Sequence, residues 1–247
     1  MATLVSDLRD AIVDGEIHPY FQPQIDLRSG RIVAVEALAR WTHRDRGVVS
    51  PAVFIAAAEE SGLVGELDRH MRDAAYRHLS AWRAAGSDIT LSVNVSPLEL
   101  SDPGFFDSVL QSLSDHRLLP PHVTIELTES VPLLDNEDTA SFVERAREAG
   151  IGIAIDDFGI GFWEFHHVTD IHASELKLDR AVVHGGDAAA LAQLVRRAHD
   201  IGVRVVAEGI ETDLHLMIAR ESGCDRAQGY LLGVPQPPAE MTRELHG

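Results

Sequence analysis

Polar side chains stand at the carboxyl ends of seven consecutive apolar runs in the chain. They are Glu36, Asn94, Glu126 with Glu129, Asp156 with Asp157, Lys177 with Asp179, Glu208 with Glu211, and Gln228. Carboxylates gathered in one apolar-walled site repel one another, and burial forces several of them to bind protons unless a cation is present. Oxygen donors without cysteine or histidine favour Mg²⁺ or Mn²⁺ over Zn²⁺. These residue types therefore predict a metal centre wherever the fold brings the runs together.

The adjacent carboxylates of Asp156 and Asp157 indicate two metal ions, because one carboxylate can bridge both ions while the other serves only the second. Paired ions suit phosphoryl chemistry, in which one ion activates a water and both hold the attacking and leaving oxygens at phosphorus. Any one of these residues alone is more often a solvated polar cap on a strand. Because seven runs carry such residues at equivalent positions, the interpretation as solvated caps is disfavoured.

Composition bounds the class of protein. The chain has 247 residues, enough for one large α/β domain or two small ones. Its 21 basic and 39 acidic residues give a formal net charge of −18, which argues against any DNA or RNA polymer as a partner. At 45% hydrophobic and 24% charged residues, it is typical of a soluble globular protein. The single cysteine, Cys224, excludes an intrachain disulfide framework, a cysteine-rich zinc site and an iron–sulfur cluster.

Charges interrupt the first residues of the chain. Asp7, Arg9 and Asp10 fall where a signal peptide would need an apolar core. No run of 18 apolar residues occurs along the sequence. We therefore expect a cytoplasmic protein without a membrane segment.

Short apolar or β-branched runs alternate with helix-like segments along the whole chain. Candidate strands lie at 18–26, 32–40, 90–96, 123–130, 151–158, 174–179, 203–210 and 227–233. Helices are predicted at 51–61, 63–86, 103–115, 136–149, 188–201, 212–222 and 238–246. This alternation indicates a parallel sheet and, at this length, a (β/α)8 barrel. Because no linker-like segment interrupts it, residues 1–247 are predicted to form a single domain.

One junction departs from a regular barrel. The first two candidate strands are joined only by Arg28, Ser29 and Gly30, which is too short for a crossover helix. Those strands must therefore be antiparallel neighbours. The prediction is an α/β fold, an irregular TIM-like (β/α)8 barrel with an antiparallel first strand, whose catalytic residues lie at the carboxyl ends of the strands.

Seven short motifs occur in a fixed order along the chain. They are VEALARW, VNVS, IELTES, AIDDFG, LKLD, VVAEGIET and QGY. Together they resemble the EAL-domain family of cyclic-di-GMP phosphodiesterases, and the resemblance extends from Ile17 to Pro238. It implies a barrel whose first strand is reversed, in agreement with the short turn at 28–30. It also implies hydrolysis of one phosphodiester bond of cyclic-di-GMP to linear pGpG, with Mg²⁺ or Mn²⁺ as cofactor and two ions in the site.

The resemblance also implies a role for individual residues of this chain. The family's metal ligands fall on Glu36, Asn94, Glu126, Asp156, Asp157 and Glu208. Its catalytic positions fall on Lys177, Glu208, Glu211 and Gln228. Its substrate-binding positions fall on Gln22, Leu38, Arg40, Asp179 and Pro235.

Within that set, the resemblance assigns the handling of charge and protons to Lys177 and Glu208. Lys177 would orient the attacking water or offset charge that develops on the phosphate. Glu208 would also accept a proton, and Gln228 and Glu211 would support the metal-bound water and the metal ligands. Arg40 would contact a phosphate of the substrate. Gln22, near the start of the reversed strand, would lie at the catalytic mouth.

One segment departs from the family pattern. After Asp157 the family continues FGTGYSSL, whereas this chain reads FGIGFWEF over 158–165. Hydroxyl groups are lost at Ile160, Phe162 and Trp163, and Glu164 adds a charge. In the family this loop is anchored by the carboxylate that matches Glu129. We therefore expect weakened hydrolysis.

Two other functions fit parts of the sequence. A receptor module would bind cyclic-di-GMP and signal without cleaving it, which the altered loop favours and the intact ligands oppose. A metabolic barrel enzyme acting on a small phosphate ester fits the fold but leaves the ordered motifs unexplained. A homodimer and a regulatory or sensor partner are compatible with the resemblance, and the sequence leaves both open.

Overall fold

Strands of this chain close into a barrel that helices cover on the outside. The computed structural model describes residues 2–128, 137–159, 164–185 and 187–246. In these ranges the strands are β1 (Ile17–Asp26), β2 (Ile32–His43), β3 (Gly47–Val49), β4 (Thr90–Asn94), β5 (Val123–Thr128), β6 (Gly152–Phe158), β7 (Glu175–Leu178), β8 (Arg204–Ala207) and β9 (Arg226–Ala227). The helices are α1 (Ala2–Asp14), α2 (Pro51–Ser61), α3 (Val64–Ala84), α4 (Pro97–Leu100), α5 (Phe105–Asp115), α6 (Glu137–Ala149), α7 (Phe165–Asp170), α8 (Arg180–His184), α9 (Ala188–Asp200), α10 (Asp213–Glu221) and α11 (Pro238–His246).

The order of the strands confirms the predicted architecture. The sheet runs β1-β9-β8-β7-β6-β5-β4-β2-β3, and the pairing of β1 with β2 closes it. Strand β1 is antiparallel to both of its neighbours, whereas β2 and β4 through β9 pair in parallel. Strand β3 lies outside the barrel and pairs only with β2 among the described strands. The fold is thus an irregular TIM-like barrel with an antiparallel first strand.

The short turn between β1 and β2 is stabilised locally. The Ser29 N–H donates to Oδ1 of Asp26, and the Gly30 N–H donates to the Asp26 carbonyl at 2.8 Å. Gly30 has a φ of 71°, a left-handed conformation that glycine adopts without steric cost. The turn therefore forces the antiparallel pairing that places Gln22 directly opposite Glu36.

Helix boundaries follow the sequence signals closely. Pro51 occupies the first turn of α2, a position that proline favours, although the Ser50 side chain makes no capping hydrogen bond. Helices α6 and α9 end shortly before Gly150 and Gly202, whose φ values of 85° and 78° terminate them. None of the helices in the described ranges has the length and apolar character needed to pass through a lipid bilayer.

The prediction of a last strand at 227–233 is wrong beyond Ala227. The chain turns there instead of continuing, because the N–H groups of Leu232 and Gly233 both donate to the carbonyl of Gly229. A Cβ at Gly229 would lie 2.2 Å from the backbone nitrogen of Ile210, so only glycine allows this close approach. The turn carries the segment across the carboxyl end of the barrel, where Gln228 reaches the site.

Two elements near the start of the chain were not predicted. Helix α1 contributes Leu8 and Ala11 to a small core that also contains Trp41 and Phe54. Strand β3 extends β2 into a hairpin, with Val49 opposite Trp41. This second core packs against the start of β1 and the end of β2, and so stabilises the strand that carries Glu36.

Candidate active site

Lys177 of β7 lies among carboxylates at the carboxyl end of the barrel. Its Nζ is 2.8 Å from Asp156 Oδ1 and 2.9 Å from Glu126 Oε2. It is also 2.9 Å from Glu208 Oε1 and 3.4 Å from Glu36 Oε2. Only 1% of the lysine side chain is exposed. Strands β2, β5 and β6 and the residue after β8 thus deliver four carboxylates to one ammonium group.

Amide side chains orient Glu36 from two sides. Gln228 Nε2 donates to Glu36 Oε2 at 2.5 Å and lies 3.1 Å from Gln22 Oε1. Asn94 Nδ2 donates to Glu36 Oε1 at 2.9 Å. Because the NH₂ group of Asn94 is engaged with Glu36, its carbonyl oxygen is the atom that it can offer to a cation. The structure therefore brings Asn94 and Gln228 to the same carboxylate, and Gln22 contacts Gln228.

The backbone of Asp157 explains how two adjacent aspartates reach one site. Successive side chains of a regular strand point to opposite faces, so Asp156 and Asp157 would normally diverge. Asp157 instead has a φ of 56°, and the pairing of β6 with β7 shifts register between Ile155 and Phe158. One carboxylate oxygen from each aspartate consequently lies within 4.8 Å of one from Glu208.

Burial, together with repulsion among the carboxylates, raises the pKa of three of them. Burial raises the pKa of Glu208 to about 8, and the attraction of Lys177 only partly opposes it. Burial, followed by repulsion from Asp156, raises the pKa of Asp157 to about 6. Burial and then repulsion from Glu36 raise the pKa of Glu126. The site thus holds more negative charge than one lysine can offset.

Lys177 and Glu36 are shifted toward their charged forms. Burial alone would lower the pKa of Lys177, but the surrounding carboxylates, led by Asp156 and Glu126, raise it above its ordinary value. Burial would raise the pKa of Glu36, yet Lys177 and the amide of Gln228 outweigh burial and lower it. The lysine is therefore a fixed positive charge at the floor of the site.

The carboxylate cluster is defined as Glu36, Glu126, Asp156, Asp157 and Glu208. It forms two groups that could each hold a metal ion, one of Glu36, Glu126 and Asp156 and one of Asp156, Asp157 and Glu208. Glu126 Oε1 is buried without a hydrogen-bond partner, an acceptor that a cation would satisfy. An all-oxygen donor set of this kind fits hard divalent cations. Asp156 belongs to both groups.

Two recesses adjoin the cluster. The central recess, of about 300 Å³, is lined by Gln22, Glu36, Leu38, Asp156, Lys177, Arg180, Glu208, Gly209, Glu211, Gln228, Gly229 and Tyr230. A side cavity of about 230 Å³ lies between β2 and the α2–α3 region, and Leu38, Arg40, Asp68, Arg72 and Asn94 contribute to its wall. Leu38 lines both, so the recesses are neighbours. Together they form a two-lobed cleft across the catalytic mouth.

Of the other predicted substrate-binding residues, Arg40 is in the wall of this cleft, whereas Asp179 and Pro235 are not among the described residues that line it. Arg40 lines the side cavity, and its guanidinium lies over the ring of Tyr20, 5.9 Å from the ring centroid. Asp179 caps α8, accepting from the Ala181 N–H at 2.6 Å. Pro235 is half-buried, next to Gln236, whose backbone pairs with Phe21 of β1.

The anchoring residue Glu129 and the altered residues Ile160, Phe162 and Trp163 lie outside the described residues. Glu164 lies inside them and precedes α7, where its N–H donates to Nδ1 of His167 at 3.0 Å. The weakened hydrolysis expected from the altered loop therefore stays a prediction.

Several residues of the mouth were not among the predicted ones. Arg180 and Tyr230 line the central recess; Arg180 directly follows the LKLD motif and Tyr230 ends the QGY motif, so both adjoin predicted site residues. That adjacency is the signal by which they could have been found. His184 and His215 hold the loop after β8, and no local pattern in the sequence marks them.

Comparison with known proteins agrees with this geometry. The EAL domain matches residues 5–235 of the chain. The cyclic di-GMP phosphodiesterase PA2567 of Pseudomonas aeruginosa is 36% identical over 245 residues, which make up 97% of this chain and 42% of that protein. The bifunctional diguanylate cyclase/cyclic di-GMP phosphodiesterase MucR of the same organism is 34% identical over 244 residues, 96% of this chain and 36% of that protein. The chain thus spans about two fifths of the length of these relatives.

Solved structures share the fold. The structure titled PaMucR phosphodiesterase, c-di-GMP complex, superposes with a TM-score of 0.90 at 33% identity and covers 97% of this chain and 99% of that one. The EAL enzyme Bd1971, solved with cAMP and cyclic-di-GMP bound, superposes with a TM-score of 0.92 at 26% identity, covering 99% of this chain and 68% of that one.

Proposed function

This chain belongs to the EAL domain family, and from that premise we propose that it hydrolyses one phosphodiester bond of cyclic-di-GMP to linear pGpG. We also propose that residues 1–247 form a single domain of this type. The observation that carries the proposal is the position of the Lys177 ammonium, 2.8 to 3.4 Å from four carboxylates at the barrel mouth. The proteins named above as cyclic-di-GMP phosphodiesterases support the choice of substrate.

The carboxylate cluster and Asn94 would hold two divalent ions, Mg²⁺ or Mn²⁺. When bound, such ions supply a polarised water for attack at phosphorus and positive charge for the departing oxygen. The two groups that share Asp156 support a pair of ions rather than one. The raised pKa values of Glu126 and Asp157 support a cation at the site, because a cation would offset both the burial and the repulsion that cause them.

Side chains of this protein would accept protons, offset charge and orient the metal ligands. Glu208, whose Oε1 lies 2.9 Å from Lys177 Nζ at the mouth, would accept the proton of the attacking water. Lys177 stays protonated and would offset the charge that develops on the phosphate oxygens. Gln228 and Asn94 hold the carboxylate of Glu36 in a single orientation. Glu211 lines the recess on the same side as Glu208.

The two-lobed cleft suits a cyclic dinucleotide. The central recess would receive the scissile phosphate, and Arg40 in the side cavity would contact a phosphate from the other side of Leu38. Gln22, in the middle of β1, and Asp179, directly after β7, would bind the edges of guanine bases. Pro235 lies in the segment that Gln22 ties to β1 through the Gly233 carbonyl at 3.0 Å.

A non-hydrolytic receptor is the second candidate, since residues 160–163 lack the hydroxyl groups of the family pattern.

Measurements of turnover and of binding distinguish the enzyme from the receptor. Purified protein would be incubated with cyclic-di-GMP and Mn²⁺, and pGpG would be resolved by chromatography while binding is measured in chelator. We expect pGpG to form and chelation to abolish it. Tight binding with no product in Mn²⁺ would replace the enzyme by the receptor, and absence of both would contradict both functions.

A further inference from the structure

The Glu208 loop, residues 208–212, connects β8 to α10 and carries two carboxylates of the mouth. Backbone hydrogen bonds hold its middle residue. The Ile210 N–H donates to the Gln228 carbonyl at 3.1 Å, and the Ile210 carbonyl accepts from the Leu231 N–H at 2.9 Å. These two bonds require no particular side chain. The groups on either side of Ile210 are held differently.

Two histidines hold those flanking groups. His184, the last residue of α8, places Nε2 2.8 Å from the Gly209 carbonyl oxygen. A carbonyl oxygen can only accept, so Nε2 of His184 carries the proton. His215 of α10 accepts through Nδ1 from the Glu211 N–H at 3.4 Å. The neutral ring of His215 therefore carries its proton on Nε2.

The two histidine rings also contact each other. Their centroids are 3.8 Å apart, and their planes differ by 25°, a stacked arrangement. One ring belongs to α8 and the other to α10, so the stack joins the two helices across the Glu208 loop. Each ring limits the orientations that the other can adopt. We call His184 and His215 the histidine bracket.

The position of the Glu208 loop depends on α8, because the two pack closely. Gly209 has a φ of 63°, and a Cβ there would lie 2.2 Å from Cβ of Arg180, the first residue of α8. The backbone of the loop thus rests directly on that helix. The N–H of Asp179, which caps α8, donates to the Phe158 carbonyl of β6 at 3.2 Å. Helix α8 therefore links the end of β6 to the Glu208 loop.

We propose that the histidine bracket is a positioning device for Glu208. It fixes the carbonyl of Gly209 and the N–H of Glu211, and so maintains Glu208 Oε1 at 2.9 Å from Lys177 Nζ. Both histidines act through backbone groups and are positioning residues. The inference rests on the proposed function and assigns to this chain a specific support for its proton acceptor.

The bracket should act on the chemical step more than on substrate binding. The residues proposed to bind the dinucleotide lie on other elements, among them Gln22 on β1 and Arg40 on β2. Displacing Glu208 would therefore lower kcat and leave KM nearly unchanged. Loss of a single orienting hydrogen bond corresponds to about a fivefold effect on rate.

Three variants test this kinetically. His184→Ala removes the donor to Gly209, and His184→Gln returns an amide N–H at a similar reach. His199→Ala is the matched control, because His199 is another exposed histidine whose Nε2 bonds Asp225, here at 2.9 Å and near the amino end of β8. With cyclic-di-GMP and Mn²⁺, we expect His184→Ala to lower kcat about fivefold with KM within about twofold. We expect His184→Gln to recover most of the loss and His199→Ala to match the parent.

Hydrogen–deuterium exchange provides a readout that does not depend on turnover. In metal-free protein, the amides of 208–212 should exchange faster in His184→Ala than in the parent, with His184→Gln restoring protection and His199→Ala unchanged. Unchanged exchange in His184→Ala, or a failure of His184→Gln to restore both protection and kcat, would overturn the bracket. If the parent itself forms no pGpG, the proposed function fails, and exchange alone then decides whether the bracket holds the loop.

Discussion

Lys177 Nζ lies 2.9 Å from Oε2 of Glu126, and the two side chains are 1% and 0% exposed. A buried ion pair of this kind stabilises little by itself, because both groups lose their hydration. Removing either partner, however, leaves an uncompensated buried charge. We therefore attribute the pair to the proposed chemistry rather than to stability.

Lys177 is the only lysine in the chain, which makes its burial directly measurable. In native protein near pH 9, an amine-acylating reagent should modify the amino terminus and leave Lys177 unmodified, since the side chain is buried and its raised pKa keeps it protonated. In urea, both amines should react. Peptide mass spectrometry measures this. Rapid acylation of Lys177 in the native state would contradict the observed packing.

Glu208→Gln should separate catalysis from binding. The substitution keeps the shape of the side chain and removes the proton acceptor, so we expect turnover to fall by about 100-fold or more. Binding of cyclic-di-GMP should stay within a few-fold of the parent value. Steady-state kinetics measures the turnover, and calorimetry measures the binding of cyclic-di-GMP.

Glu36→Ala should instead raise the Mn²⁺ concentration required for activity, because it deletes a ligand of the first metal group.

An exposed glutamate provides the control for both substitutions. Glu221→Ala, at the end of α10, should match the parent in kcat and in Mn²⁺ dependence. Parent-level turnover in Glu208→Gln or Glu36→Ala would remove that carboxylate from the proposed chemistry.

A second acidic pair predicts how stability depends on pH. Asp68 lies on α3 and Glu99 on α4, and burial, followed by repulsion from Asp68, raises the pKa of Glu99 to about 8. A carboxyl group with a raised pKa in the folded state contributes stability in its protonated form. That contribution is complete below the ordinary value of 4.5 and is lost as pH rises through about 8.

Glu99→Gln removes this dependence, because the amide is neutral at every pH in the window. Urea unfolding at about pH 5 and about pH 9 should show a smaller loss of stability in Glu99→Gln than in the parent. Glu60→Gln, an exposed position on α2, should behave as the parent. Equal losses in Glu99→Gln and the parent would show that Glu99 titrates as an ordinary carboxyl group.

The altered loop gives a prediction that depends on sequence alone. Returning it to the family pattern with Ile160→Thr, Phe162→Tyr, Trp163→Ser and Glu164→Ser should raise turnover, mainly through metal affinity. The restored hydroxyl groups would allow Glu129 to anchor the loop that follows Asp156 and Asp157. Activity titrated against Mn²⁺ and Mg²⁺ measures the change. No gain, together with full parent activity in Mg²⁺, would show that the loop does not limit the enzyme.

The strand-end carboxylates could be predicted because parallel strands in a barrel converge at one rim. Period and spacing alone placed β1, β2 and β4 through β8 closely, and the three-residue turn after β1 specified its reversed direction. The left-handed φ of Asp157 could not be predicted, since it results from the register shift between β6 and β7. The histidine bracket also escaped prediction, because His184 and His215 meet only after α8 and α10 pack. Local sequence carries no signal for such a long-range contact.

Hydrolysis in ¹⁸O-labelled water tests the central claim most directly. Attack by water forms a new P–O bond, breaks the P–O3′ bond and leaves a 3′-hydroxyl group, so the linear product retains one solvent oxygen on its 5′-phosphate. With Mn²⁺ and cyclic-di-GMP, we predict pGpG that is 2 Da heavier than the product formed in ordinary water, a shift of about one ¹⁸O atom. Unchanged cyclic-di-GMP, or pGpG without the label, would contradict water attack at phosphorus by this site.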